Sequence, residues 1–185
     1  LAAVPLFVFM GTLLGETIII GVPVQSAPLW IGRFRGGMGI ATILVCVLFA
    51  ACTGIIGSAE VVIGLMALPA MLKLKYDKGL ASGVICAGGS LGTIIPPSVV
   101  IVVLGPTANV SIGRLLVGAI FPGLLLAGLY IAQVGIRAAI NPSLAPPLPP
   151  EKLGRLSLEL KLSLTLRSSI PPLALNVAVM GSIML

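Results

Sequence analysis

From Gly79 to Gly105 the chain carries no charged residue, yet its centre reads Gly88-Gly89-Ser90-Leu91-Gly92-Thr93-Ile94-Ile95-Pro96-Pro97-Ser98. The stretch is long enough for the ~20 apolar residues that cross a bilayer core. Its centre nevertheless defeats a continuous helix. Proline supplies no N–H and clashes with the preceding turn, and the residue before it, Ile95, is pushed away from helical angles. Three glycines lie close by, so the helix is expected to unwind here. At membrane depth, unwound backbone is tolerated only where protein buries it or where it lines a cavity.

Composition supports a membrane solvent. The hydrophobic share is 58% and the charged share 9% of 185 residues, against about 25% charged in soluble domains. That leaves too few polar side chains to cover a surface facing water. The net charge is +6 with 4% aromatic residues. The basic residues fall in short patches between apolar runs, which is a topology signal and not a nucleic-acid groove.

A second interrupted stretch precedes the first. Residues 39–72 are too long for one span and short for two, and their middle, Cys52-Thr53-Gly54-Ile55-Ile56-Gly57-Ser58-Ala59-Glu60, is small and polar. Arg33 and Arg35 precede the stretch, and Lys73, Lys75 and Lys78 follow it. Lys and Arg collect at cytoplasmic ends. Basic patches at both ends therefore predict a segment that enters and leaves by one face, a re-entrant hairpin of two half-length helices.

The remaining organisation follows from the same signals. Residues 1–16 read as the end of a transmembrane helix and 17–38 as an interfacial connector broken by Pro23 and Pro28. Residues 79–105 form the discontinuous transmembrane helix. A short linker, Pro106–Gly113, leads to an uninterrupted span over 114–137. Residues 138–169 form a cytoplasmic linker that opens proline-rich. Within it Leu156–Leu166 alternates leucine with polar residues; the period is that of a strand, whereas leucine favours helix, and its secondary structure stays open. Residues 170–185 read as the start of a further span. Both termini read as cuts, and the chain is expected to be a piece of a longer protein. Cys46, Cys52 and Cys86 lie in apolar runs without CxxC spacing or any histidine. They read as small packing residues, with no zinc site.

Two interrupted segments in one chain are the pointer to a transporter's binding site. A broken helix leaves free carbonyls at one half's C-terminal end and free N–H groups at the other half's start. Hard cations such as sodium want several oxygen ligands, while positive helix N-termini suit a carboxylate. The cation-binding candidates are Thr53, Gly54, Gly57, Ser58, Gly89, Ser90, Gly92, Thr93 and Pro96. The substrate-binding candidates are Ser58, Ser90 and Ser98. The competing reading makes these residues kinks and close helix contacts. Glu60 is the acid beside a break; it either binds the cation, carries a proton, or faces water or a neighbour without a role. Asp77, among lysines, reads as a solvated surface charge. There is no histidine, no cysteine–base pair and no carboxylate pair, so no enzyme site is expected.

At these segments the chain resembles the large membrane subunit of the tripartite ATP-independent periplasmic transporters. The matching stretches are Val4–Gly11, FAACTGIIGSAEVVIGLMALPAML from Phe49, YDKGLASGVICAGGSLGTIIPPS from Tyr76, and VSIGRLLVGAIFPGLLLAGLYI from Val110. The resemblance implies an all-α integral membrane fold of elevator type. This chain would supply a re-entrant hairpin and a discontinuous helix from one of two inverted repeats. It further implies a sodium-coupled importer of organic acids in the bacterial inner membrane. No cofactor is implied beyond sodium as coupling ion. The implied partners are a small membrane subunit, a periplasmic substrate-binding protein, the organic acid and lipid. A carrier of sodium and carboxylates or other anions that works without a binding protein, or an inert truncated membrane fragment, are the alternatives.

Overall fold

A computed structural model describes residues 31, 34–54, 56–96, 98–147 and 174; at 50–53 and 56–59 it describes the backbone. The expected elements at 1–16, most of 17–38, and 148–185 apart from 174, including the leucine alternation, lie outside the described residues. Within them the structure is entirely helical. Helix α1 is Gly37–Thr53, α2 is Ile56–Lys73 and α3 is Lys78–Ser90. A 3₁₀ turn, Leu91–Thr93, follows, then α4, Val99–Thr107, and α5, Ile112–Ile140.

Helices α1 and α2 form a hairpin turned at Gly54, whose φ is +61°. This is the left-handed conformation that glycine adopts without penalty after a helix. At 17 and 18 residues the two arms rise about 25 and 27 Å. They are therefore longer than the half-length helices expected for this segment. The second helix also runs past the expected linker start: Pro106 lies inside α4, and the connection shrinks to residues 108–111. Helix α5 begins at Ile112 and continues to Ile140, beyond the expected limits of 114 and 137.

Two turns are closed by the same device. After α2, Tyr76 N–H donates to Met71 O at 3.1 Å and Lys75 N–H to Leu72 O at 3.0 Å. After α4, Val110 N–H donates to Gly105 O at 3.0 Å and Asn109 N–H to Pro106 O at 3.4 Å. These crossed bonds are Schellman closures, and they need a left-handed residue just past the helix. Lys75 (φ 60°) and Asn109 (φ 53°) fill that place. Asp77 then starts α3, accepting the Leu80 N–H at 2.9 Å. It is an N-cap as well as an exposed charge.

The loop after α5 fixes the topology. Ala145 O accepts the N–H of Gly36, just ahead of α1, at 3.1 Å, and Leu144 O accepts that of Asp77, between α2 and α3, at 3.0 Å. The beginning of α1, the α2–α3 turn and the end of α5 thus share one end of the bundle. Arg35, Lys75, Lys78 and Arg137 belong to that basic end.

The core is apolar and small-featured. Met38, Ile43, Met71, Tyr76, Leu80, Val84, Leu91, Ile95 and Val134 pack in one buried cluster, while Cys46, Phe49 and Ile63 belong to a second. The outside is equally apolar: Phe121 is 75% exposed and Leu65 74%, and Leu124, Leu125, Leu129, Ile136 and Ile140 on α5 are also bare. Water would penalise such a surface, whereas acyl chains would not. Helix α5 has the length and composition to cross a membrane. Cys86, expected as packing, is exposed; Cys46 is buried.

Candidate functional site

Both interruptions lie where the sequence stops helical hydrogen bonding. In α3 and the 3₁₀ turn the pattern persists up to Ile95, whose N–H reaches Leu91 O at 2.8 Å. The next two helical donors would be residues 96 and 97, both proline. An α-helical carbonyl takes its N–H from four residues ahead. The proline pair therefore strips the donors from Gly92 and Thr93 in succession. Thr93 O recovers a partner, the hydroxyl of fully buried Ser98 at 2.6 Å. Among the described residues nothing replaces the donor lost to Gly92 O.

The neighbouring hydroxyls are turned in a consistent sense. Ser90 Oγ donates to Ala87 O at 2.8 Å and Thr93 Oγ1 to Ser90 O at 2.8 Å. With Ser98 included, all three hydroxyl protons are spent on main-chain carbonyls. Each oxygen keeps lone pairs that can accept or coordinate. The array is an acceptor surface, suited to a cation, built from neutral groups.

The hairpin tip meets this segment directly. Gly54 O accepts the N–H of Val99, the first residue of α4, at 3.5 Å. The carbonyl end of α1 thus faces the N–H end of α4, where unsatisfied donors and the positive helix terminus collect. Ser98 stands at the N-cap of α4 but makes no side-chain cap bond; its hydroxyl donates to Thr93 O instead.

The hairpin also leans on α3 through two glycines. A Cβ on Gly88 would stand 2.5 Å from Cys46 Sγ, and one on Gly89 would collide with Cγ of Glu60. Real Cβ atoms do not tolerate such approaches. Cys46 on α1 and Glu60 on α2 can therefore lie over α3 only because these two positions lack side chains. Glu60 is half-buried and has no ion pair or side-chain hydrogen bond among the described residues.

Of the expected site residues, the structure brings together Gly54, Gly89, Ser90, Gly92, Thr93, Pro96 and Ser98, with Glu60 against Gly89. Thr53 closes α1, and Gly57 and Ser58 lie in the first turn of α2; their backbone places them beside the tip. Sequence reasoning passed over Cys46 as a spacer of the hairpin. It also passed over a cavity at the basic end lined by Tyr130, Gln133 and Arg137 of α5. The i, i+3, i+7 spacing of those three residues was the available signal.

Comparison with known proteins gives the family. Residues 1–185 match the family model of the tripartite ATP-independent periplasmic transporter, DctM component. The chain is 39% identical over 141 residues to the C4-dicarboxylate TRAP transporter large permease protein DctM of Vibrio cholerae, covering 76% of this chain and 31% of that protein. It is 37% identical over 123 residues to the isethionate TRAP transporter permease protein DctMQ of Oleidesulfovibrio alaskensis, covering 66% and 19%. It is 31% identical over 141 residues to the ectoine/5-hydroxyectoine TRAP transporter large permease protein UehC of Ruegeria pomeroyi, covering 76% and 33%. The chain spans about a third or less of the length of these relatives. Matched along residues 1–185 by that family model and helical throughout its described residues, the chain belongs to the large permease (DctM) family of the tripartite periplasmic transporters, a family of transporters and not of enzymes.

Proposed function

We propose that this chain is the part of a TRAP large permease that holds a coupling sodium ion and one side of the substrate path during import of an organic acid. The observation that carries the reading is the meeting of the two interruptions. Gly54 O of the tip touches Val99 N–H of α4, beside a carbonyl, Gly92 O, that the prolines have deprived of its donor. Sodium would be held by main-chain oxygens at Gly54 and Gly92 with hydroxyls of Thr53, Ser90 and Thr93. Gly57, Gly89 and Pro96 would shape the backbone around it. Ser58, Ser90 and Ser98, with the N-terminus of α4, would meet the substrate's acid group.

In this reading the α1–α2 hairpin is re-entrant and its basic end is cytoplasmic. The permease sits in the inner membrane and moves as an elevator. A small membrane subunit and a periplasmic binding protein complete the system. The relatives are named for C4-dicarboxylate, isethionate and ectoine, so the acid class is a proposal of the site chemistry and not of the names. Glu60, packed on Gly89, is the group at hand for a second cation or a proton.

The test is uptake by the full-length permease with its partners in proteoliposomes, with and without sodium, across a panel of organic acids. Sodium-stimulated uptake of at least one acid is expected, with stimulation weakened by Ser90→Ala and Thr53→Ala. Uptake indifferent to sodium would remove the ion assignment. Cysteines placed at Arg35 and Lys75 should label from the same membrane face, and labelling from opposite faces would remove the re-entrant hairpin.

A further inference from the structure

At the basic end, away from the interruptions, α3 and α5 diverge around a cavity of about 190 Å³. One wall is small and apolar: Gly79, Gly83 and Ala87 recur every four residues along α3. A Cβ on Gly83 would meet nothing within 4 Å. The other wall is graded. Along one face of α5, Tyr130, Gln133 and Arg137 follow each other toward the end of the helix. None of their side chains has a hydrogen bond or ion pair among the described residues. Three polar side chains thus line one cavity, with Gln133 and Arg137 exposed and Tyr130 half-buried.

We infer that this cavity seats the headgroup of an anionic phospholipid. The three polar residues span seven positions, about 10 Å of helix rise, enough to cross the polar layer of one leaflet, about 5–8 Å deep. An aromatic–amide–guanidinium sequence over that depth matches the order of interfacial anchors, with the cation outermost. Helix α5 beside the cavity presents bare Leu129, Ile136 and Ile140, suited to the acyl chains. Charge complementarity points the same way. Arg35, Lys75, Lys78 and Arg137 crowd this end, opposed by Asp77, whose Oδ2 stands 3.0 Å from a Cβ on Gly79 but already accepts the Leu80 N–H. Basic pockets between transmembrane helices are where anionic headgroups bind. A volume of about 190 Å³ has room for a phosphate and its glycerol but not for a helix.

Native mass spectrometry of the detergent-extracted full-length permease tests this, with phosphatidylglycerol and phosphatidylethanolamine supplied equally. Phosphatidylglycerol should be retained preferentially. Arg137→Ala and, separately, Gly83→Leu, which fills the cavity without touching charge, should each lower retention about fivefold or more. Arg114→Ala, an equal loss of charge at the other end of α5, should leave it unchanged. Each variant is compared at matched melting temperature, so that unfolding is not read as lipid loss. Equal retention of the two lipids overturns the inference, as does loss with Arg114→Ala as large as with Arg137→Ala. Retention undisturbed by Gly83→Leu also overturns it, since another segment would then fill the space. Displacement by soluble glycerol phosphate overturns it in favour of a soluble anion.

Discussion

At its basic end the bundle is tied by two short main-chain bonds, Gly36 N–H to Ala145 O at 3.1 Å and Asp77 N–H to Leu144 O at 3.0 Å. At the interruptions, among the described residues, the hairpin and the split helix exchange one long main-chain bond, Val99 N–H to Gly54 O at 3.5 Å. The basic end draws three strands of chain into a fixed junction with complete turn closures. Among the described residues, the interrupted end leaves a carbonyl without a donor and spends its hydroxyl protons internally. A site that must bind and release needs oxygens whose present partners are weak. The two ends of one small bundle thus differ in how firmly their main-chain groups are paired, as the proposed exchange of an ion would require.

The contrast can be broken most severely at Gly89. Gly89→Val forces Glu60 off α3 and should cost the full-length permease more than about tenfold in uptake and about 1–3 kcal/mol or more in stability, measured by transport and by melting in detergent. Gly88→Ala should cost about 1–3 kcal/mol by the same overpacking, partly relieved by Cys46→Ala. Absence of rescue would separate the loss from the Cys46 contact.

The next largest effect is expected at Pro96. Pro96→Ala returns an N–H to the position four residues past Gly92. It should raise the sodium concentration for half-maximal uptake about fivefold, equivalent to about 1 kcal/mol. An unchanged sodium curve would mean that Gly92 O does not serve the ion.

Two smaller changes sharpen the other side of the comparison. Lys75 holds a left-handed conformation at a cost of about 1–2 kcal/mol, so Lys75→Gly should raise the melting temperature without altering sodium dependence. A change in coupling instead would show that the junction is not merely holding. Tyr76, in the same turn, has a buried hydroxyl with no hydrogen bond of full geometry. Burial raises its pKa, and the nearby backbone of Met38 and Gly39 partly offsets that. The neutral phenol is thus favoured in the folded state. Its contribution is intact below about pH 10, the unfolded value, and lost as pH rises through the higher folded value. Tyr76→Phe should flatten that alkaline decline in melting temperature while costing under about 1 kcal/mol at neutral pH.

The proline break was legible because the missing N–H of residues 96 and 97 is a covalent fact that no tertiary contact can repair. The hairpin turn was legible from small residues between basic patches, since Gly54 is the place where a left-handed turn costs least. Helix limits were less legible. Pro106 marks an end by local rules, but α4 closes one turn later through the left-handed Asn109, which a proline signal alone does not reveal. Glu60 against Gly89 and Cys46 against Gly88 were not legible, because they depend on how far apart two helices settle. The cavity at Tyr130, Gln133 and Arg137 was hidden for another reason. Its wall on α3 is defined by side chains that are missing, and hydropathy cannot distinguish a glycine that packs from one that leaves room.

Consecutive prolines also set a limit on motion. A helix interrupted by glycine can re-form when its surroundings change, but one interrupted by two imino acids cannot. Whichever side of the bilayer this region faces, the oxygens of residues 92 and 93 cannot regain α-helical donors, because residues 96 and 97 have no N–H. In the transport cycle proposed above, the gap would persist through each rearrangement, and access to it would be governed by what moves around it.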